Sequence, residues 1–117
     1  MKRENSIHEQ ALLNLCKKAW AKSPIDLVDK KIAFIFYSDG VEVKMFAKIS
    51  RIVISNDKDG GGFVSLFLSS GEDDYKENSV LNCNDGKTWK YSYYDQGEEK
   101  RSFLIESMIF KLKWWQV

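Results

Sequence analysis

Between residues 7 and 20, apolar side chains recur every three or four positions, and lysines occupy much of the remaining surface. Ser6 and Glu9 form a capping box at the start of this pattern, in which each side chain bonds a free backbone N–H group of the first turn. Pro24 ends the pattern, although a proline at a first helical position could also begin a further short turn. We therefore predict an amphipathic helix within residues 1–23, with one buried stripe.

After Lys30 the apolar residues alternate with a period of two, which is typical of β-strands. The segment KIAFIFYS predicts a strand that is covered on both faces, and the Asp39-Gly40 pair that follows it is a hairpin turn. Further strands are predicted at FVSLFLSS, SVLN and TWKYSYY, separated by the acidic loop GEDDYKEN and by turns at NDG and DQGEE. Short turns of this kind join antiparallel neighbours.

The long strand after the first hairpin changes its apolar parity along its length. Its apolar residues alternate from Val41 to Ile49, Arg51 then interrupts them, and Ile52 continues the pattern on the other parity. Such a one-residue shift predicts a β-bulge or sharp bend near Ser50 and Arg51, because an extra residue returns the apolar side chains to the buried face.

The last segment, residues 101–117, fits two interpretations. Its leucine, isoleucine and methionine side chains have a helical spacing up to residue 112, whereas residues 110–114 alternate as in a strand. The many β-branched and aromatic side chains favour a strand, with a break near Glu106 and Ser107.

These elements together predict an α+β fold in a single domain, residues 1–117. The helix within residues 1–23 packs on a curved, mainly antiparallel sheet of about five to six strands, residues 31–117, which forms a small barrel or half-barrel. A chain of 117 residues is long enough for one hydrophobic core and too short for a second.

Composition and charge exclude several classes of protein. A hydrophobic content of 44% with 30% charged residues excludes disorder and a membrane span. The net charge is +1, but residues 52–99 carry ten acidic against four basic residues, whereas a general nucleic-acid binder has a dominant basic excess. Two cysteines without framework spacing, and a start without an apolar secretion segment, predict a cytoplasmic protein.

Several fragments imitate functional motifs without completing one. SNDKDGGGF has the acidic spacing of an EF-hand calcium loop, but Leu66 occupies the position of its bidentate glutamate. GKT ends like a phosphate-binding P-loop, but Leu81 replaces its leading glycine. His8 is expected to be exposed at the helix start, and one histidine with two separate cysteines is too small a set for zinc. We therefore expect no catalytic residue, no metal, no cofactor and no enzymatic activity.

Acidic loops and aromatic residues remain as candidates for partner binding, because aromatic side chains supply rigid contact area and carboxylates attract a basic surface. The candidate partner-binding residues are Asp57, Asp59, Glu72, Asp73, Asp74, Trp89, Tyr91, Tyr93, Tyr94, Asp95, Glu98, Glu99 and Trp115. They predict a protein-binding inhibitor with a basic protein partner, such as an immunity protein that neutralises a bacterial toxin, or a phage anti-defence protein. Reversing the charge of the Glu72–Asp74 loop should then slow association.

Two further hypotheses come from the order of the elements. A helix, a strand, a DG turn, a long bent strand and a further strand over residues 6–70 resemble an Sm-like barrel, and that resemblance implies nucleic-acid binding by stacking on exposed aromatic residues. The glycine of the long Sm strand and the Asp and Met-Asn residues of its RNA-binding loop are absent. Alternatively, the C-terminal strand FKLKWWQV could pair with another chain, which predicts a structural subunit or a homo-oligomer.

Overall fold

A computed structural model describes residues 6–56, 61–69 and 79–110. One helix and six strands make up the fold, together with a 3-10 turn at Pro24–Leu27. The elements are α1 (Ile7–Lys18), β1 (Lys31–Ser38), β2 (Val41–Asn56), β3 (Gly62–Ser69), β4 (Ser79–Cys83), β5 (Trp89–Asp95) and β6 (Glu98–Phe110). The predicted α+β class is confirmed: the N-terminal helix packs on one antiparallel sheet.

The N-terminus of α1 begins at the predicted cap and is also attached to the sheet. The Ser6 hydroxyl accepts a hydrogen bond from the Glu9 backbone N–H at 3.1 Å. The Glu9 carboxylate, however, accepts from the Asn56 side-chain amide at 3.3 Å, and the Ser6 hydroxyl donates to the Asn56 amide oxygen at 2.7 Å. The cap therefore fixes the start of the helix against the end of β2.

The C-terminus of α1 differs from the predicted stripe at its last position. Trp20 has a φ of +55° and lies 70% exposed, because the chain turns into the left-handed region directly after the helix. The Ala21 N–H donates to the Cys16 carbonyl at 2.8 Å, which is the long hydrogen bond of a Schellman motif. The buried stripe therefore ends at Ala19, and the stripe predicted over residues 7–20 is wrong at Trp20 and also at Ile7, which is 55% exposed.

The sheet closes into a ring through β6. Strands pair in chain order from β1 to β6, and β6 also pairs with β1. The ring is uneven: residues 98–104 of β6 pair with β5, whereas residues 105–110 pair with β1. The prediction that this segment is a strand is confirmed as far as Phe110. The break expected near Glu106 and Ser107 is a β-bulge, because the ladder with β1 leaves Glu106 without an opposite residue.

The predicted bulge in β2 is confirmed at Ser50. The ladder between β2 and β3 pairs Ile49 with Leu68 and Arg51 with Phe67, which leaves Ser50 without an opposite residue. The Ser50 hydroxyl donates to the Phe67 carbonyl at 3.0 Å. The bulge moves the inward positions to the other parity, as the sequence pattern requires.

Inward-facing side chains of all six strands fill the ring, and the buried stripe of α1 joins them. A cluster of aromatic rings lies in this core, with the Phe36 and Phe103 centroids 4.5 Å apart and the Phe36 and Tyr91 centroids 5.3 Å apart. The core residues are Leu12, Leu15, Cys16, Ala19, Leu27, Ile32, Phe34, Phe36, Ile49, Val64, Leu66, Leu68, Leu81, Tyr91, Met108 and Phe110.

Strand β1 is covered on both faces only along part of its length. Its inward residues and the outward Ala33 are buried, but Tyr37 near its end is 50% exposed. The full coverage predicted for KIAFIFYS is therefore wrong at this end, because the helix packs elsewhere on the ring. Among the helices in the described part of the chain, none has the length and apolar composition to cross a membrane.

Candidate partner-binding surface

Two hairpin turns meet at one end of the ring. Because neighbouring strands are antiparallel, the β1–β2 turn and the β5–β6 turn lie at the same end, and the ladder of β1 with β6 brings them side by side. The Arg101 guanidinium donates a hydrogen bond to the Ser38 hydroxyl at 3.4 Å, which links the two hairpins. We call residues 37–42 and 93–101 together the acidic end.

The acidic end has an excess of exposed carboxylates. It carries five carboxylates and two cations, so its formal net charge is −3, and all seven side chains are exposed. Counting partners among the described residues alone, Glu98 is the one carboxylate of the acidic end in an ion pair, with Lys100 at 3.2 Å. An exposed pair of this kind is worth less than about 1 kcal/mol. The charged residues are Asp39, Glu42, Asp95, Glu98, Glu99, Lys100 and Arg101.

Both turns have backbone geometry that holds the carboxylates in place. Asp39 and Gly40 have φ values of +51° and +79°, and Gln96 and Gly97 have values of +52° and +80°. Two consecutive residues with positive φ make the type I′ turn, whose twist matches that of the flanking strands. The acidic side chains therefore project from short turns and paired strands rather than from long loops.

The predicted aromatic anchors occupy different environments. Tyr91 points into the core, 6% exposed, and its hydroxyl lies 3.1 Å from the Ser79 hydroxyl, so it is not on the surface. Trp89 is half-buried and packs against the core. Tyr93 is 40% exposed and Tyr94 is half-buried beside the β5–β6 turn. Of the described anchors, Tyr93 and Tyr94 therefore belong to the acidic end.

A cleft of about 370 Å³ adjoins the acidic end on the outer face of the sheet. Its polar floor is internally bonded: the Ser65 hydroxyl donates to the Asn82 amide oxygen at 2.6 Å, and the Asn82 amide donates to the Ser92 hydroxyl at 3.4 Å. The cleft is lined by Ser65, Phe67, Val80, Asn82, Tyr94, Gln96 and Gly97. Its size and mixed lining suit one or two side chains of a partner.

The sequence predictions missed part of this surface. Tyr37, Asp39 and Glu42 were not among the candidates, although they lie at the acidic end and are exposed. The Asp39-Gly40 turn could have indicated these residues, because every second hairpin of an antiparallel ring lies at the same end. That inference requires the pairing of β1 with β6, which the sequence does not show.

Several candidates lie outside the described residues, namely Asp57, Asp59, Glu72, Asp73, Asp74 and Trp115. The hypothesis of pairing through a C-terminal strand FKLKWWQV depends on residues 111–117, which are outside the described part as well. Within the described part, β6 up to Phe110 belongs to the closed ring.

His8 is buried, so the expectation that it is exposed is wrong. It is 2% exposed, because the first turn of α1 packs against Gly62 at the start of β3. Neither ring nitrogen has a hydrogen-bond partner among the described residues. Both cysteines, Cys16 and Cys83, are also buried, and burial raises the pKa of each thiol above its usual value.

The GKT segment has no geometry for binding phosphate. The Asp85 carboxylate accepts hydrogen bonds from the Thr88 N–H at 2.7 Å and from the Lys87 N–H at 2.8 Å, so the turn amides bind this side chain. These bonds lower the pKa of Asp85 to about 2. Across residues 6–56, 61–69 and 79–110, no three His, Cys, Asp or Glu side chains are close enough to hold a metal ion.

Comparisons with protein families, with characterised proteins and with solved structures found no match to this chain.

Proposed function

We propose that the protein is a small non-enzymatic inhibitor that captures a basic protein through its acidic end. In this proposal it acts in the cytoplasm, as an immunity protein that neutralises a bacterial toxin or as a phage anti-defence protein. The observation that carries the proposal is the meeting of exposed carboxylates and tyrosines on two linked hairpins, beside a cleft that can receive a partner side chain.

Charge and shape have separate roles in this mechanism. A local net charge of −3 attracts a basic surface over a distance of about one Debye length, which raises the association rate. Tyr37 and Tyr93 then supply rigid contact area and hydroxyl groups, and the adjoining cleft accepts a basic or apolar side chain. Inhibition follows because the basic surface of a nuclease or similar toxin is the surface that binds its own anionic substrate.

The same features argue against nucleic acid as the ligand of this surface. The exposed tyrosines of the acidic end are accompanied by five carboxylates, which repel phosphate groups. Of the aromatic residues on which an Sm-like protein could stack a base here, Tyr91 lies in the core and Trp89 is half-buried against it. A protein ligand with basic residues fits both the charge and the aromatic content.

Charge reversal with a matched control tests the proposal. The double variant Asp95→Lys and Glu99→Lys changes the acidic end, and the double variant Asp26→Lys and Asp29→Lys makes the same net change beside the start of β1, at the opposite end of the ring. Affinity capture from the native host, quantified by mass spectrometry, should retain a basic protein on the wild type and on the control. The acidic-end variant should lose it.

The captured protein is then purified and measured directly. We expect inhibition of its activity at a 1:1 ratio, association slowed on the order of tenfold by the acidic-end variant at low salt, and a flatter salt dependence. Equal capture by all three proteins, or full activity of the captured protein in the complex, would contradict the proposal.

A further inference from the structure

Strand β6 has an open side next to α1. Residues 98–104 pair with β5, but β5 begins at Trp89, so residues 105–110 extend past it and pair only with β1. Among the described residues, no strand pairs with their other side. Backbone N–H and C=O groups of such an edge are free to pair with an added strand.

A groove of about 590 Å³ runs along this open side. One wall is α1, from Ala11 to Lys18, the second is the turn before β5, Gly86 to Trp89, and the third is β6 from Leu104 to Met108. At about 3.3 Å per residue, the open stretch of β6 along the groove accommodates an extended segment of about four residues. The groove is thus an elongated slot beside a free strand edge.

The groove has apolar walls and two unpaired cations. Leu104 is 52% exposed, and Trp89 and Ile105 are half-buried, so these three side chains supply the apolar area. Lys18 and Lys87 line it from opposite walls, and neither forms an ion pair with a described residue. Since the Lys87 backbone N–H is bonded to Asp85, its contribution to the groove is the side-chain ammonium group.

We propose that this groove binds an extended acidic peptide segment of another protein, which adds a strand to the open side of β6. Alternate residues of an added strand point to opposite faces, so apolar residues contact Trp89 and Leu104 while carboxylates reach Lys18 and Lys87. Glu106 is the single carboxylate in the groove, so cations outnumber anions there. This binding is independent of the proposed inhibitor function, because the acidic end lies at the start of β6 and the groove lies along its second half.

Three synthetic peptides test the strand addition. The probe is the capped hexapeptide EVEVEV, and its controls are KVKVKV and an EVEVEV peptide with alternate backbone amides N-methylated. Titration into the ¹⁵N-labelled full chain should shift the amide resonances of residues 105–108 and slow their hydrogen exchange with the probe alone. No shift at these residues, or equal binding of either control, would overturn the proposal.

Variants of the protein test whether the probe peptide binds in the groove. The double variant Lys18→Glu and Lys87→Glu should lower the affinity for the probe peptide on the order of tenfold. The control double variant Lys17→Glu and Lys90→Glu, outside the groove, should change that affinity by less than about twofold. Asn14→Trp, which places a large ring at the groove, should abolish binding, whereas Lys17→Trp, at an exposed position of the same helix outside the groove, should not. If the groove variants and their controls changed the affinity equally, the peptide would bind elsewhere, and the proposal that it binds in this groove would be wrong.

Discussion

The His8 side chain lies against Gly62, so a Cβ atom at position 62 would stand 2.9 Å from the imidazole Cδ2 and 3.0 Å from Nε2. The same Cβ atom would overlap the Ser55 carbonyl oxygen. Gly62 has a φ of +135°, which lies in the region that favours glycine. The contact between the helix and β3 therefore depends on the absence of a side chain at this position.

Gly62→Ala should lower the free energy of unfolding by more than about 2 kcal/mol, since backbone strain of about 1–3 kcal/mol adds to the steric overlap. Urea unfolding measures the loss. Gly40→Ala and Gly97→Ala are matched controls, because both glycines have positive φ but nothing within 4 Å of an added Cβ. Each control should lower the free energy of unfolding by about 1 kcal/mol. Equal losses at all three positions would contradict the close contact of His8 with Gly62.

Trp20→Gly should raise the free energy of unfolding by about 1 kcal/mol, because position 20 is left-handed and glycine is the residue that helix ends prefer there. Trp20→Ala retains the backbone strain and serves as the control. Since the indole is 70% exposed, its loss removes little packing. Thermal and urea unfolding should show that the glycine variant is more stable than the alanine variant. The reverse order would contradict backbone strain at position 20.

The Asp85 carboxyl should titrate near pH 2, because the Thr88 and Lys87 N–H groups bond its charged form. Its pKa is lowered in the folded state, so its contribution to stability is present above its unfolded pKa of about 3.9 and is lost as pH falls towards 2. A ¹³C NMR titration of the side-chain carboxyl measures the midpoint directly. An ordinary aspartate midpoint would show that the turn hydrogen bonds are weak in solution.

Asp85→Asn provides the control for this titration. The amide oxygen can still accept the two backbone N–H groups, but it carries no charge. The stability of the variant, measured by urea unfolding between pH 4 and pH 2, should therefore fall less steeply than that of the wild type. Parallel pH profiles would assign the acid sensitivity to other carboxylates.

Local sequence patterns were sufficient to predict much of the fold. The change of parity between Ile49 and Ile52 predicted the bulge at Ser50, because the inward positions of a strand are fixed by a period of two. The β-branched content of the last segment likewise predicted β6 as a strand. Both features depend on residues close together in the chain.

Features that depend on distant residues could not be predicted in the same way. The burial of His8 depends on Gly62, which lies across the helix–sheet contact, and the burial of Tyr91 depends on which face of β5 is inward. The acidic end was predicted only in part, because its β1–β2 hairpin joins the β5–β6 hairpin through the pairing of β1 with β6. No local pattern encodes that pairing.

The division of β6 between two ladders also sets an order of events during folding. Strand β1 pairs with residues 105–110 of β6, so the first strand acquires its second neighbour only after the second half of β6 has been made. On a ribosome, β1 to β5 can form a meander while β6 is still being synthesised, but the ring stays open until then. Contacts of such large sequence separation form slowly, so closure of the ring by β6 is expected to be the late step in the maturation of this protein.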